Sequence, residues 1–165
     1  MIDDMDKDVR KKLIRDKLRL FRGTILSDST DLESHLGWIL RTYFFPKTNR
    51  RATLFSSLII DKLSFEKKIL LYEKINIYNK SKKYENIKKS LKFVRELRNV
   101  VAHGWLIEGD SKENYVIIKN PNSYKTWKLD DALMNEFKEH DKFLLKAFGW
   151  KETLREKYGS LSVET

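Results

Sequence analysis

Residues 84–103 read YENIKKSLKFVRELRNVVAH, and this stretch decides the fold. At about 100° per residue, with Val94 set to zero, Ile87 falls near +20°, Val101 near −20°, Leu91 near +60°, Leu97 near −60° and Phe93 near −100°. These residues form the core face of one amphipathic helix. Lys92, Arg95, Glu96, Asn99 and His103 fall between about 100° and 200° and make a single polar stripe. Gly104 follows at once, and glycine is favoured just past a helix C-terminus. One residue departs from the pattern. Arg98 lies near +40°, inside the apolar arc. A desolvated guanidinium is costly unless paired, so Arg98 must meet a carboxylate, reach an interface or hold an anion. Glu33 and Asp31 are its candidate partners within the chain.

Towards the C-terminus the period changes from 3.6 to two. Trp105–Glu108 and Tyr115–Lys119 alternate and flank a polar turn at 109–114, and Tyr124–Leu129 adds a third short strand after Pro121. Asp130 or Asp131 caps a last helix running through Leu133, Phe137, Leu144 and Phe148, and the tail from about Arg155 reads as loose. Towards the N-terminus, Val9, Leu13, Ile14, Leu18, Phe21 and Ile25 recur at helical spacing, with Asp3, Asp4, Asp6 and Asp8 ahead of Arg10, Lys11 and Lys12 as a helix dipole favours. Gly23 and the polar run 27–30 predict a kink or break. Leu32, Leu36, Ile39, Leu40 and Tyr43 resume the period, and Pro46 ends it. Residues 52–62 read as a short, mostly buried helix. Ser64 caps another, through Ile69, Leu70, Tyr72 and Ile75 to about Tyr78, and 79–83 is a loop. The expected fold is mainly α: a helical bundle of about five helices with a small β-meander inserted before the last helix, forming a single domain over 1–165.

Composition narrows the function classes. The 165 residues include 41% apolar and 35% charged residues, 6 Gly, 2 Pro and no Cys. This excludes collagen-like and low-complexity chains, disulfides and thiolate chemistry. No apolar run approaches a membrane span, and the acidic start MIDDMDKD is not a signal peptide, so a cytoplasmic protein without membrane contact is expected. The net charge is +10. Residues 1–46 carry 9 basic and 8 acidic groups, 47–95 carry 14 and 4, and 96–165 carry 11 and 12, so the middle block supplies the whole excess. Such a block is the footprint of a polyanion binder, with Lys88, Lys89 and Lys92 beside the polar stripe as candidates for contact with RNA or DNA, between which charge does not choose. Lysines that merely solvate helix faces would give the same count.

The chain has three histidines. His103 closes the helix; His35, four residues from Asp31, and His140 are isolated. No His/Asp/Glu grouping has metal-ligand spacing, and no nucleophile elbow, P-loop or dinucleotide fingerprint is present. Neither a metal nor a cofactor is expected.

Arg98-Asn99-Val100-Val101-Ala102-His103-Gly104 resembles the RNxxxH signature of HEPN-domain ribonucleases. The segments Phe55-Ser56-Ser57-Leu58-Ile59 and Leu63-Ser64-Phe65-Glu66-Lys67-Lys68-Ile69 are similar to bacterial HEPN sequences too, and the likeness covers roughly 10–145. The resemblance implies a helical bundle that dimerises, with the motif helices of two protomers lining a shared cleft. It implies metal-independent endoribonuclease activity in a toxin or antiphage defence role, and hence an antitoxin protein as partner. By position it makes Arg98 and His103 catalytic, with Asn99 as supporting polar residue of the same set. Glu33, Asp31 and Arg95 are supporting candidates; whether Glu33 orients the histidine or neutralises Arg98 stays open. One departure matters: HEPN proteins paired with nucleotidyltransferase antitoxins carry Tyr two residues after the histidine, where this chain has Trp105.

These groups suit RNA cleavage. The neighbouring 2′-hydroxyl attacks phosphorus, which requires a proton acceptor, a proton donor for the leaving 5′-oxygen and charge stabilisation. Imidazole performs either proton transfer near neutral pH, and guanidinium grips two phosphate oxygens at once. Two protomers would supply both acid and base from one motif. DNA would bind the basic block but lacks the 2′-hydroxyl. The alternatives are a non-catalytic HEPN-like binding or regulatory module, similar to the mannitol-operon repressor group, and a DNA-binding protein built on the basic block.

Overall fold

The apolar stripes place five helices along the chain: α1 (Lys7–Phe44), α2 (Arg50–Leu58), α3 (Phe65–Ile75), α4 (Lys82–His103) and α5 (Asp131–Ala147). A single 3-10 turn (Ile60–Lys62) follows α2, and three strands lie between α4 and α5: β1 (Trp105–Ile107), β2 (Val116–Lys119) and β3 (Thr126–Leu129). This computed structural model describes residues 7–47, 49–107, 116–119 and 126–149. Asp3, Asp4, Asp6, the 109–114 turn, Pro121 and the tail from Arg155 lie outside the described residues, as do the side chains of Asp8, Arg10, Lys11, Ile14 and Trp105. The protein is mainly α, with the β-meander before the last helix as the change of period predicts. The strands pair antiparallel in the order β1-β2-β3, with Leu106 opposite Ile118 and Ile118 opposite Trp127. In β3 Trp127 and Leu129 are buried while Thr126 and Lys128 are exposed, the alternation of a strand with one covered face.

The chain divides into two compact units. The first comprises residues 1–31 and 92–140. It buries Leu18, Phe21 and Ile25 from α1, Val94, Leu97, Val100 and Val101 from α4, Trp127 and Leu129 from β3, and Met134 and Phe137 from α5. The edge of Phe93 meets the Trp127 ring at 5.9 Å, and Phe93 lies 4.5 Å from the His140 ring. The second unit comprises 32–91 and 141–165. It buries Leu32, Leu36 and Leu40 from α1, Ile60 from the 3-10 turn, Phe65, Ile69 and Tyr72 from α3, Tyr84, Ile87 and Leu91 from α4, and Leu144 from α5.

Side-chain caps fix the helix starts. Asn49 Oδ1 accepts from Ala52 N at 2.9 Å, Ser64 Oγ from Lys67 N at 3.4 Å, Ser81 Oγ from Tyr84 N at 3.2 Å and Asp130 Oδ1 from Leu133 N at 2.9 Å. Asp130 is therefore the cap of α5, and Asp131 is its first residue. Beyond α5, Gly149 adopts φ +77°, the left-handed conformation that lets a helix stop.

Three expectations are corrected. Helix α1 runs unbroken through Gly23 and residues 27–30. The apolar stripe continues through Ile25, Leu32 and Leu36, and the Thr30 hydroxyl donates to the Leu26 carbonyl at 2.8 Å, so the polar run does not compete with the helix. Ser29 sits on the same stripe and is fully buried; among the described residues its Oγ has no hydrogen-bond partner. The segment 52–62 is mostly exposed rather than buried. Only Ala52 of α2 and Ile60 of the 3-10 turn are covered. Helix α3 stops at Ile75 rather than Tyr78, with the Asn76 side-chain amide donating to the Tyr72 carbonyl at 2.9 Å.

In the second unit His35 stacks on Trp38 at 5.6 Å and its Nε2 donates towards the Phe148 carbonyl at 3.4 Å. Burial lowers its pKa below the usual imidazole range, against a smaller opposing effect of that hydrogen bond. A folded value below the unfolded one, about 6.5, contributes stability above that pH, which is lost as pH falls through the folded value. Thermal melts should show a steeper loss of Tm below about pH 6.5 in the wild type than in His35→Gln. Equal slopes would contradict the assignment.

Candidate functional site

Helix α4 is held by its buried face, and that face sets the direction of everything else on it. Ile87, Leu91, Val94, Leu97, Val100 and Val101 are buried. The residues from 92 onward belong to the first unit. Within it, Arg95, Asn99 and His103 recur at i, i+4 and i+8 and share one side of the helix. Arg95 and Asn99 are half-buried, and His103, the last helical residue, is exposed. Gly104 N donates to the Val100 carbonyl at 2.6 Å, and the chain passes straight into β1. The imidazole therefore stands at the helix end, open to solvent.

Arg98, placed inside the apolar arc by its angle on the helix, is half-buried. Arg95, Glu96 and Arg98 each engage neighbours within the protein. Lys92, on the same stripe, is exposed. Asp31 is exposed at the end of the first unit's share of α1.

The other candidates lie in the second unit. Glu33 Oε1 accepts from Lys68 Nζ at 3.2 Å, with side-chain exposures of 18% and 7%. Lys89 is exposed, whereas half-buried Lys88 lies 3.5 Å from the Glu85 carboxylate and over the Tyr84 ring, 5.6 Å from its centroid. His35 packs between Trp38 and Phe148. In the first unit, His140 packs on Phe93. Among the described residues, no group of three or more His, Cys, Asp or Glu could hold a metal ion, and no helix is long and apolar enough to cross a membrane.

Two features went unread in the sequence. Lys68 occupies the buried face of α3 with Phe65, Ile69 and Tyr72, at i, i+3, i+4 and i+7. A lysine at such a position signals a buried carboxylate partner, here Glu33. Gly37 leaves room for this pair: a Cβ there would lie 3.7 Å from Lys68 Cε and 3.3 Å from Ile60 Cγ2. The second feature is α2, where Leu54 and Leu58 are exposed, as is Ile59 just beyond the helix, while Phe55 is half-buried.

The pair of Glu33 and Lys68 has a testable consequence. Glu33→Ala leaves a nearly buried ammonium without its carboxylate and should cost about 3 kcal/mol. The double variant Glu33→Ala/Lys68→Met should recover most of that loss in a denaturant melt. A neutral Glu33→Ala would show that the pair is not structural. Comparison of the chain with known protein families, curated proteins and solved structures returns no match.

Proposed function

We propose that the protein is a metal-independent endoribonuclease of the HEPN type, with His103 as proton-transfer group and Arg98 as phosphate-stabilising group. The observation that carries this reading is the pairing of unlike environments at the end of α4. An exposed imidazole and a half-buried guanidinium lie five residues apart, with Asn99 and Arg95 alongside. Proton transfer needs an imidazole that exchanges with solvent and substrate. Charge stabilisation needs a donor fixed in advance and partly shielded from water. The motif supplies both from one helical turn and a half.

In this mechanism one His103 takes the proton from the ribose 2′-hydroxyl as its oxygen attacks phosphorus. The bond from phosphorus to the 5′-oxygen breaks, and a second His103, from the partner protomer, protonates the leaving oxygen. The products are a 2′,3′-cyclic phosphate and a 5′-hydroxyl. Arg98 holds the non-bridging oxygens while their charge rises. Asn99 supplies a further hydrogen bond, Arg95 and Lys92 hold flanking phosphates, and Lys88 and Lys89 extend the basic surface. Asp31 and Glu33 act, in this reading, only by orienting cationic groups. The cellular setting is a toxin or antiphage effector restrained by an antitoxin.

Incubation of the purified protein with mixed RNA in EDTA tests the reading. Wild type should cut and His103→Ala should lose about 100-fold or more while keeping its circular dichroism. Arg98→Ala should lose on the order of 100-fold and also lower Tm, because the side chain is half-buried. Arg98→Lys, which keeps the charge but not the bidentate fork, should restore little activity. Absence of cleavage by a well-folded wild-type protein would overturn the nuclease and favour a binding or regulatory module.

A further inference from the structure

The connection from α3 to α4 carries Tyr78, which is 92% exposed, more than any other large apolar side chain among the described residues. Trp38, Tyr43 and Phe44 are exposed too, but each lies against another ring. Among the described residues Tyr78 lies against none. A ring so placed adds nothing to the core. The segment around it is nevertheless built. The Tyr84 hydroxyl donates to the Glu73 carbonyl at 3.3 Å, and the Tyr84 and Tyr72 rings are 6.3 Å apart, which ties the start of α4 to the end of α3. Asn79 N donates to the Asn76 carbonyl at 2.8 Å and Ser81 N to Asn79 Oδ1 at 3.1 Å, so the backbone on either side of Tyr78 is held.

The charge around the ring has one sign. Residues 74–83 include Lys74, Lys80, Lys82 and Lys83 and no acid. All four lysines are exposed, and none pairs with a carboxylate among the described residues. Lys82 and Lys83 also open α4, where the helix dipole disfavours cations. Their placement works against the fold, and an anionic ligand would offset it. A flat, open ring among unpaired cations matches a nucleobase flanked by phosphates, since stacking accepts the face of any base and lysine neutralises the backbone. Bases inside a duplex are stacked on one another and offer no such face. A lipid surface calls for a broad apolar face, and Ile77 is the other exposed apolar side chain in 74–83.

We propose that Tyr78, Lys74, Lys80, Lys82 and Lys83 form a binding site for single-stranded nucleic acid. One unpaired base stacks on the tyrosine ring, and the lysines hold the phosphates on either side. The site goes beyond the nuclease reading: it grips a strand, performs no chemistry and stands whether or not the strand is cut.

Fluorescence anisotropy tests it with the full chain and an unstructured 2′-O-methyl oligoribonucleotide, which lacks the hydroxyl that the proposed cleavage uses. Wild type should bind, with affinity falling as salt rises. Tyr78→Ala should weaken binding about tenfold with Tm unchanged, because the side chain is exposed. Tyr78→Trp should bind at least as well as wild type. On the corresponding duplex Tyr78→Ala should stay within about twofold of wild type, a split that a structural role would not produce. Lys82→Ala/Lys83→Ala should lower the slope of log affinity against log salt by roughly 0.7 per lysine. Single-stranded DNA of the same sequence should bind within about tenfold of the RNA, because the ring reads the base rather than the sugar. Unaltered affinity in Tyr78→Ala, equal losses on single strand and duplex, or an unchanged salt slope in the double variant would each overturn the site. A wild type that ignores the oligonucleotide but binds phosphatidylglycerol vesicles through Tyr78 would overturn it in favour of a membrane contact. The two claims fail separately. Binding of the oligonucleotide without cleavage of ordinary RNA removes the nuclease alone, and cleavage alongside binding indifferent to Tyr78→Ala removes this site alone.

Discussion

Burial of one face of α4 is the constraint on which the rest depends. Leu91, Val94, Leu97 and Val101 have no accessible surface. Turning the helix by one residue, about 100°, in the sense that brings Arg95 to the centre of this face would bury its charge. The rotation of α4 is thus fixed by the cost of burying charge, and with it the outward direction of Asn99 and His103. The same helix supplies core residues to both units. Its end at His103, followed at once by β1, sets an imidazole where a helix stops and a sheet begins.

Much of this was legible in the sequence because the period is unambiguous. The 84–103 stripe gave the helix to within two residues of its start, and the third strand expected over Tyr124–Leu129 is found at Thr126–Leu129. Ser64 and Asp130 announced their caps by position. The breaks were harder. Gly23 and the polar run 27–30 look like punctuation, yet the tertiary burial of Ile25, Leu32 and Leu36 carries α1 through them. Helix α2 shows the limit from the other side. Periodicity identifies an apolar stripe but not what the stripe faces, and in α2 it faces outward while Ala52 faces in. For the candidate site, the half-burial of Arg98 followed from its angle on the helix. The engagement of Glu33 with Lys68 did not, because it joins two residues far apart in sequence.

The proposed chemistry divides two demands between neighbouring side chains. A proton-transfer group has to reach solvent and substrate, and His103 is exposed. A phosphate-stabilising group is most effective when held before the substrate arrives, and Arg98 is half-buried and engaged. Neither residue alone distinguishes a nuclease from a binding module. Their spacing on one helix, in a chain whose positive charge is concentrated between residues 47 and 95, is what favours RNA.

The most direct measurement replaces the attacking group in the substrate. An RNA cut by the protein would be resynthesised with a single 2′-O-methyl group on the nucleotide immediately 5′ of the cleaved bond. If the neighbouring 2′-hydroxyl is the nucleophile, cleavage at that bond stops while other sites in the same molecule are still cut. Cleavage continuing at the methylated position would contradict the account, since the attacking oxygen would then come from elsewhere.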